Sequence, residues 1–141
     1  MAIKAVLDTN ILVSGLVNEH GAPRRLVDAW LEGRFTLVSS LYLVTELSHV
    51  LAYPRVARRL SLSQGEVEAI LTALLATAEI APGQLELPGV TRDPKDDAGV
   101  ACAKEGQAGY IVSGDRDLLD LGHYEDIQVV TPQQFADLLS L

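Results

Sequence analysis

Two apolar, β-prone runs in this chain end on aspartate. Ile3-Lys4-Ala5-Val6-Leu7 leads into Asp8-Thr9-Asn10, and Tyr110-Ile111-Val112 leads into Ser113-Gly114-Asp115-Arg116-Asp117. Buried parallel strands would deliver both acids to the carboxyl edge of one sheet, where open α/β folds bind ligands. Carboxylates gathered at one place repel each other unless a cation neutralises them. The chemistry these residue types support is therefore a divalent-metal site. Glu46, on the helix expected after the second strand, adds a third acid. Asp97 adds a fourth, in the first turn of a helix after a proline-rich connection, where the helix dipole favours a carboxylate. Oxygen donors without a matching His or Cys set suit Mg²⁺ or Mn²⁺ better than Zn²⁺.

Singly, each acid has a plain alternative. Asp115 and Asp117 suit a turn beside Gly114, Asp97 suits a helix N-terminus, and Glu46 suits a surface. Asp8 is harder to explain that way, because apolar residues flank it on both sides. The histidines His20, His49 and His123 have no metal-ligand spacing, although Glu46 and His49 stand one helical turn apart. Cys102, the single cysteine, cannot form an intramolecular disulfide and reads as a small buried hydrophobe.

These acids need a frame, and the chain alternates strand and helix signals as a mostly parallel sheet requires. A strand is expected from Ile3 to Leu7, and Pro23 opens a helix that Gly33 ends. A second strand runs from Phe35 to Val38, and Ser39 or Ser40 caps a helix to about Tyr53. A short helix near Arg55 to Leu60 precedes a capping box at Ser63-Gln64-Gly65-Glu66 and a long helix beyond it. A short strand near Glu79 to Ala81, a helix from Asp96 to Glu105 and a strand from Tyr110 to Ser113 follow. The chain closes with a helical turn at Asp117 to Leu121, a strand from Ile127 to Val130 and a helix after Thr131-Pro132.

At 141 residues the chain is expected to be one domain, 1–141. Hydrophobic residues make up 48% of it, and no apolar run reaches the ~20 residues of a membrane helix. No signal-peptide pattern opens the chain, so a cytoplasmic protein is expected. The net charge of −8 argues against a general nucleic-acid coat protein, which would be basic. Basic residues nevertheless occur in groups: Arg24-Arg25, Arg55 with Arg58-Arg59, and Arg92 with Lys95. Each group is either a solvated face or a set of phosphate contacts.

Four segments, Val6-Leu7-Asp8-Thr9-Asn10, Thr45-Glu46-Leu47, Asp93-Pro94-Lys95-Asp96-Asp97-Ala98 and Ile111-Val112-Ser113-Gly114-Asp115-Arg116-Asp117-Leu118-Leu119, stand in one further order. In that order the chain resembles the PIN-domain family, metal-dependent ribonucleases that include toxins of bacterial toxin–antitoxin pairs. The resemblance spans nearly the whole chain and implies a three-layer α/β/α fold around a parallel sheet of about five strands. It implies Mg²⁺ or Mn²⁺ and an acidic quartet of Asp8, Glu46, Asp97 and Asp115, with Asp117 close by and Thr9, Asn10 and Ser113 in support. Both Asp96 and Asp97 fit the third position; the run Asp97-Ala98-Gly99-Val100-Ala101 favours Asp97. Asp115 and Asp117 compete at the fourth. The implied reaction is hydrolysis of single-stranded RNA. The implied partners are RNA, an antitoxin protein and a second copy in a homodimer or larger homo-oligomer, with the apolar helices between Leu41 and Leu75 as an interface. Two rival readings are a non-catalytic metal- or RNA-binding module and an aspartyl-phosphate phosphatase. The latter is weakened by Asn10, which stands where such phosphatases carry a general-acid Asp.

Overall fold

The computed structural model describes residues 2–60 and 62–141. Its centre is β1 (Lys4–Leu7), whose Ala5, Val6 and Leu7 are all buried. A strand apolar on both faces can persist only between two layers of helices. The remaining strands are β2 (Thr36–Ser40), β3 (Glu79–Ala81), β4 (Tyr110–Val112), β5 (His123–Tyr124) and β6 (Ile127–Val130). Among the described residues they form one six-stranded sheet in the order β3-β2-β1-β4-β6-β5. All neighbours are parallel except β5, which returns antiparallel along β6.

The pleat separates two cores. Ala5, Leu7, Leu37 and Val112 face α1 (Thr9–Val17), α2 (Ala22–Leu31), α3 (Leu41–Ala52), α5 (Gln64–Thr77) and α8 (Pro132–Leu138). Val6, Val38, Ile111 and Val129 face α6 (Pro94–Glu105) and α7 (Arg116–Leu121). The short α4 (Pro54–Ala57) follows α3 directly. This is the expected α/β/α arrangement. The expected capping box forms, with Ser63 and Glu66 bonding reciprocally, and Thr131, expected only as the start of a helix, makes a second box with Gln134. Ser40, of the two serines considered, caps α3 by accepting from Leu43 N at 3.2 Å.

Three features depart from the expected outline. α1 starts directly on Asp8 with no connecting loop and fills Thr9–Val17, a stretch for which no element was expected. The sheet gains β5, a two-residue strand joined to β6 by a tight turn in which Glu125 takes a left-handed φ of 52°. α6 begins at Pro94, with Asp93 as its cap, two residues before the expected Asp96. Two glycines allow close packing. A Cβ on Gly15 would lie 2.7 Å from Val27 Cγ2 where α1 crosses α2, and one on Gly106 would lie 2.4 Å from Val38 Cγ1.

Candidate metal and catalytic site

The sheet runs from β1 to β2 to β3 in one direction and then continues from β4 on the other side of β1. The reversal falls between β1 and β4, and a crevice opens at their carboxyl ends. The parallel register pairs Leu7 with Val112, so the next residues, Asp8 and Ser113, leave the sheet side by side. Asp8 N continues the ladder by donating to Val112 O at 3.0 Å.

Ser113 is fully buried and organises the crevice. Its hydroxyl donates to Asp8 Oδ2 at 2.9 Å and accepts from Asp115 N at 2.9 Å. Asp115 in turn caps α7, its Oδ1 accepting from Asp117 N at 2.8 Å. Asp117 thus meets the site through its backbone, and its carboxylate is not among the charges that raise Asp8 or Asp96. From α3, Glu46 approaches Asp8. Thr9 Oγ1 donates to Glu46 Oε2 over a long 3.4 Å, and Lys95 Nζ stands 3.6 Å from Glu46 Oε1. Asn10 is exposed on α1.

The third acid of the crevice is Asp96, not Asp97. Asp96 is 5% exposed, within hydrogen-bonding reach of Asp115, and under the field of Asp115, Asp8 and Asp93. Asp97 is turned onto the preceding connection. Its Oδ1 accepts from Thr91 N at 2.6 Å and Thr91 Oγ1 at 2.9 Å, and its Oδ2 accepts from Gly89 N at 3.1 Å. A carboxylate already holding three donors in this way is a strut for residues 89–91. The helical period carries the signal that separates the two. With Asp93 as cap, Asp96 shares a helix face with the fully buried Val100 and Ala103, and that face meets the sheet.

The electrostatics follow from the crowding. Burial raises the Asp8 carboxyl, Ser113 and the Thr9 N–H lower it, and Asp115 and Glu46 raise it again. Burial and then the charges of Asp115, Asp8 and Asp93 push Asp96 up to about 7. Asp96 Oδ2 is also buried without a hydrogen-bond partner. An orphaned carboxylate oxygen among like charges is costly in a protein interior, and a cation would relieve both costs at once. Among the described residues, no group of three or more His, Cys, Asp or Glu is arranged to hold a metal ion as it stands. The donors at the crevice are all carboxylate oxygens, the kind of ligand a hard divalent cation takes. Asp8, Asp96 and Asp115 fit such an ion.

A family model described as PIN domain matches residues 4–117, and the chain belongs to the PIN-domain family. PIN domains are in general nucleases that use divalent metal ions. The uncharacterized protein MJ1680 of Methanocaldococcus jannaschii is 27% identical, over 96% of this chain and 90% of its own length. The crystal structure of PAE2754 from Pyrobaculum aerophilum shares the fold with a TM-score of 0.61, at 17% identity over 99% of this chain and 98% of that one.

Proposed function

We propose that this PIN domain is a divalent-metal-dependent endoribonuclease that hydrolyses phosphodiester bonds of single-stranded RNA. The observation that carries the reading is Asp96. It is buried at the carboxyl edge with one unpartnered oxygen and crowded by Asp115 and Asp8. A structural role alone gives no reason to keep three acids in that crevice, since their repulsion opposes folding.

Asp8, Asp96 and Asp115 would hold the ion. Its contribution when bound is to acidify water and to neutralise charge building on the scissile phosphate. The chain's own groups do the positioning. Ser113 holds the Asp8 carboxylate in one orientation and ties it to Asp115 through the Asp115 N–H. Glu46 completes the acid set from α3, steadied by Thr9 and Lys95. Hydrolysis joins a water oxygen to phosphorus and breaks one ester P–O bond. The water's protons go to the departing oxygen and to solvent.

Cleavage of a labelled single-stranded RNA by the purified protein, with Mg²⁺, Mn²⁺ or EDTA, tests this. Metal-dependent cutting should fall by on the order of 100-fold or more in Asp8→Asn. Cutting that survives EDTA or that substitution overturns the assignment, and binding without cutting under every metal points to the non-catalytic module. We extend the proposal to a role as the toxin of a toxin–antitoxin pair, for which suppression of its growth effect by a co-expressed neighbouring small protein is the test.

A further inference from the structure

The chain has a net charge of −8 and 19 acidic residues, yet residues 47–65 contain no Asp or Glu. That stretch carries Arg55, Arg58 and Arg59, and it lies against α1, whose first residues follow Asp8. Between α1 and α4 runs a cavity of about 470 Å³, lined on one side by Asn10, Ser14 and Asn18 and on the other by Arg55 and Arg59. Asn10, Ser14 and the C-cap Asn18 repeat every four residues, so a row of polar groups runs along α1 beside Val13 and Val17 from the acidic crevice outward. The span from Asn10 to Asn18 covers about 12 Å at the rise of an α-helix. Asn18 Nδ2 donates to Ser14 Oγ at 3.3 Å along this wall.

The arginines of this groove differ from most other cations of the protein. Lys4, Arg24, Lys95 and Lys104 have ion-pair partners, and Arg25 and Arg34 donate to Gln133 and Leu139 O. Among the described residues, Arg55 and Arg59 have no such partner, a property they share with Arg92 and Arg116, which lie outside the groove. The groove joins these unpartnered cations to an acid-free lining that starts two residues from Asp8.

We propose that this groove is a phosphate-binding subsite, in which Arg55 and Arg59, with Asn10, Ser14 and Asn18, seat the single-stranded RNA backbone flanking the scissile bond. The inference rests on the nuclease reading above. Arginine, asparagine and serine side chains are common phosphate-contacting groups, and such contacts position a strand without reading its bases. The groove holds no aromatic side chain for stacking. Its binding is therefore electrostatic and indifferent to sequence. The groove also answers a problem that the acidic crevice creates, because a polyanion approaching Asp8, Asp96 and Asp115 meets repulsion unless cations hold its flanks.

The test is fluorescence-anisotropy binding of two labelled single-stranded RNAs of unlike sequence across a salt series. The proteins are Asp8→Asn, the same protein with Arg55→Ala/Arg59→Ala, and the same protein with Arg34→Ala/Lys104→Ala as a control at the far end of the sheet. The groove variant should bind both RNAs on the order of tenfold more weakly at low salt, while the control binds as before. Its slope of log affinity against log salt should shrink by about 1.4, the value for two lost phosphate contacts on a single strand. A groove variant that keeps the parent's affinity and slope, while the wild-type protein still cuts RNA, overturns the subsite and leaves the nuclease standing. RNA that neither binds nor is cut overturns both. Poly-glutamate binding that disappears with the two arginines, while RNA binding persists, assigns the groove to an acidic protein partner and overturns the RNA subsite.

Discussion

Ser113 Oγ donates to Asp8 Oδ2 across 2.9 Å, joining the ends of β1 and β4 at the point where the sheet changes direction. The bond holds the Asp8 carboxyl down against the burial and the neighbouring charges that raise it. Ser113→Ala removes that bond, so Asp8 should take up its proton at higher pH. Metal-dependent cleavage then needs a higher pH to begin, and the acid limb of the pH–rate profile should move to higher pH. The half-buried Asp115 N–H also loses its acceptor, which should lower stability by about 1 kcal/mol in urea. An unchanged acid limb would show that Asp8 is not the group whose ionisation limits the reaction.

Asp96 and Asp97 are neighbours in opposite surroundings, one in the crevice and one bonded to the connection before α6, and substitution should separate them. Asp97→Ala leaves Thr91 N, Thr91 Oγ1 and Gly89 N without their shared acceptor. A loss of about 2–4 kcal/mol of stability is expected, with cleavage per folded molecule largely kept. Asp96→Asn should do the reverse, abolishing cleavage while the fold survives. Chemical denaturation and single-turnover cleavage on the same two proteins decide the matter.

The four acid-bearing segments were legible because their signals are local. A strand that stops on a small polar residue, a serine cap and a helix N-terminus each announce themselves in a few residues, as with Asp8, Ser40 and Asp115. The choice between Asp96 and Asp97 was not local. Composition after the acid favoured Asp97, but the cap at Asp93 sets the helix phase, and only that phase turns Asp96 toward the sheet. α1 escaped for a related reason. It begins on Asp8 without a loop, and Ile11-Leu12-Val13 is apolar in a way that suits a strand or a buried helix equally. β5 has two residues, too few for any period to register. The groove of Arg55 and Arg59 needs the approach of α4 to α1, which no spacing along the chain encodes.

Without metal, Asp96 should make stability depend on pH in a direction opposite to an ordinary ion-paired acid. Its carboxyl holds a proton up to about pH 7 in the folded protein and releases it near 3.8 when unfolded. Between those values the folded state binds more protons, so this group's contribution falls as pH rises. Asp96→Asn carries no such charge. In EDTA the variant should therefore be more stable than its parent at about pH 7.5, by at least the 1.4 kcal/mol of one pKa unit. The difference should disappear below about pH 4, where Asp96 is protonated in both states. Urea midpoints of the two proteins at both pH values give the answer, and a gap that is the same at each would rule out repulsion at Asp96 as its cause.

Cys102 offers a check on the packing of α6 that is independent of metal. Burial pushes its thiol up to about 12, with a hydrogen bond to Ser40 only partly opposing that shift. The thiolate is the reactive form, so at pH 8 the folded protein should present very little of it. Labelling by a thiol reagent should be slower than for a free cysteine by about 10³-fold and should keep pace with global unfolding as urea is added. Rapid labelling in native buffer would mean that α6 parts from β2 in a local opening, and the position of Asp96 on the same helix would then be mobile as well.

Binding of the ion should appear as stability, because the unfolded chain does not hold its acids together. An ion present at a hundred times its dissociation constant adds about 2.7 kcal/mol, and for a chain of this size that raises the melting temperature by about 8 °C. Mn²⁺ and Mg²⁺ should each produce such a rise in the wild-type protein. In Asp96→Asn the rise should vanish while the starting melting temperature at neutral pH is higher than that of the parent, since the repulsion it relieves is already gone. In Asp97→Ala the starting temperature should be lower and the metal-dependent rise intact. The signs of these two shifts separate an acid that waits for a cation from one that fastens a loop. A metal-dependent rise lost in Asp97→Ala and retained in Asp96→Asn would reverse the assignment and return the site to Asp97.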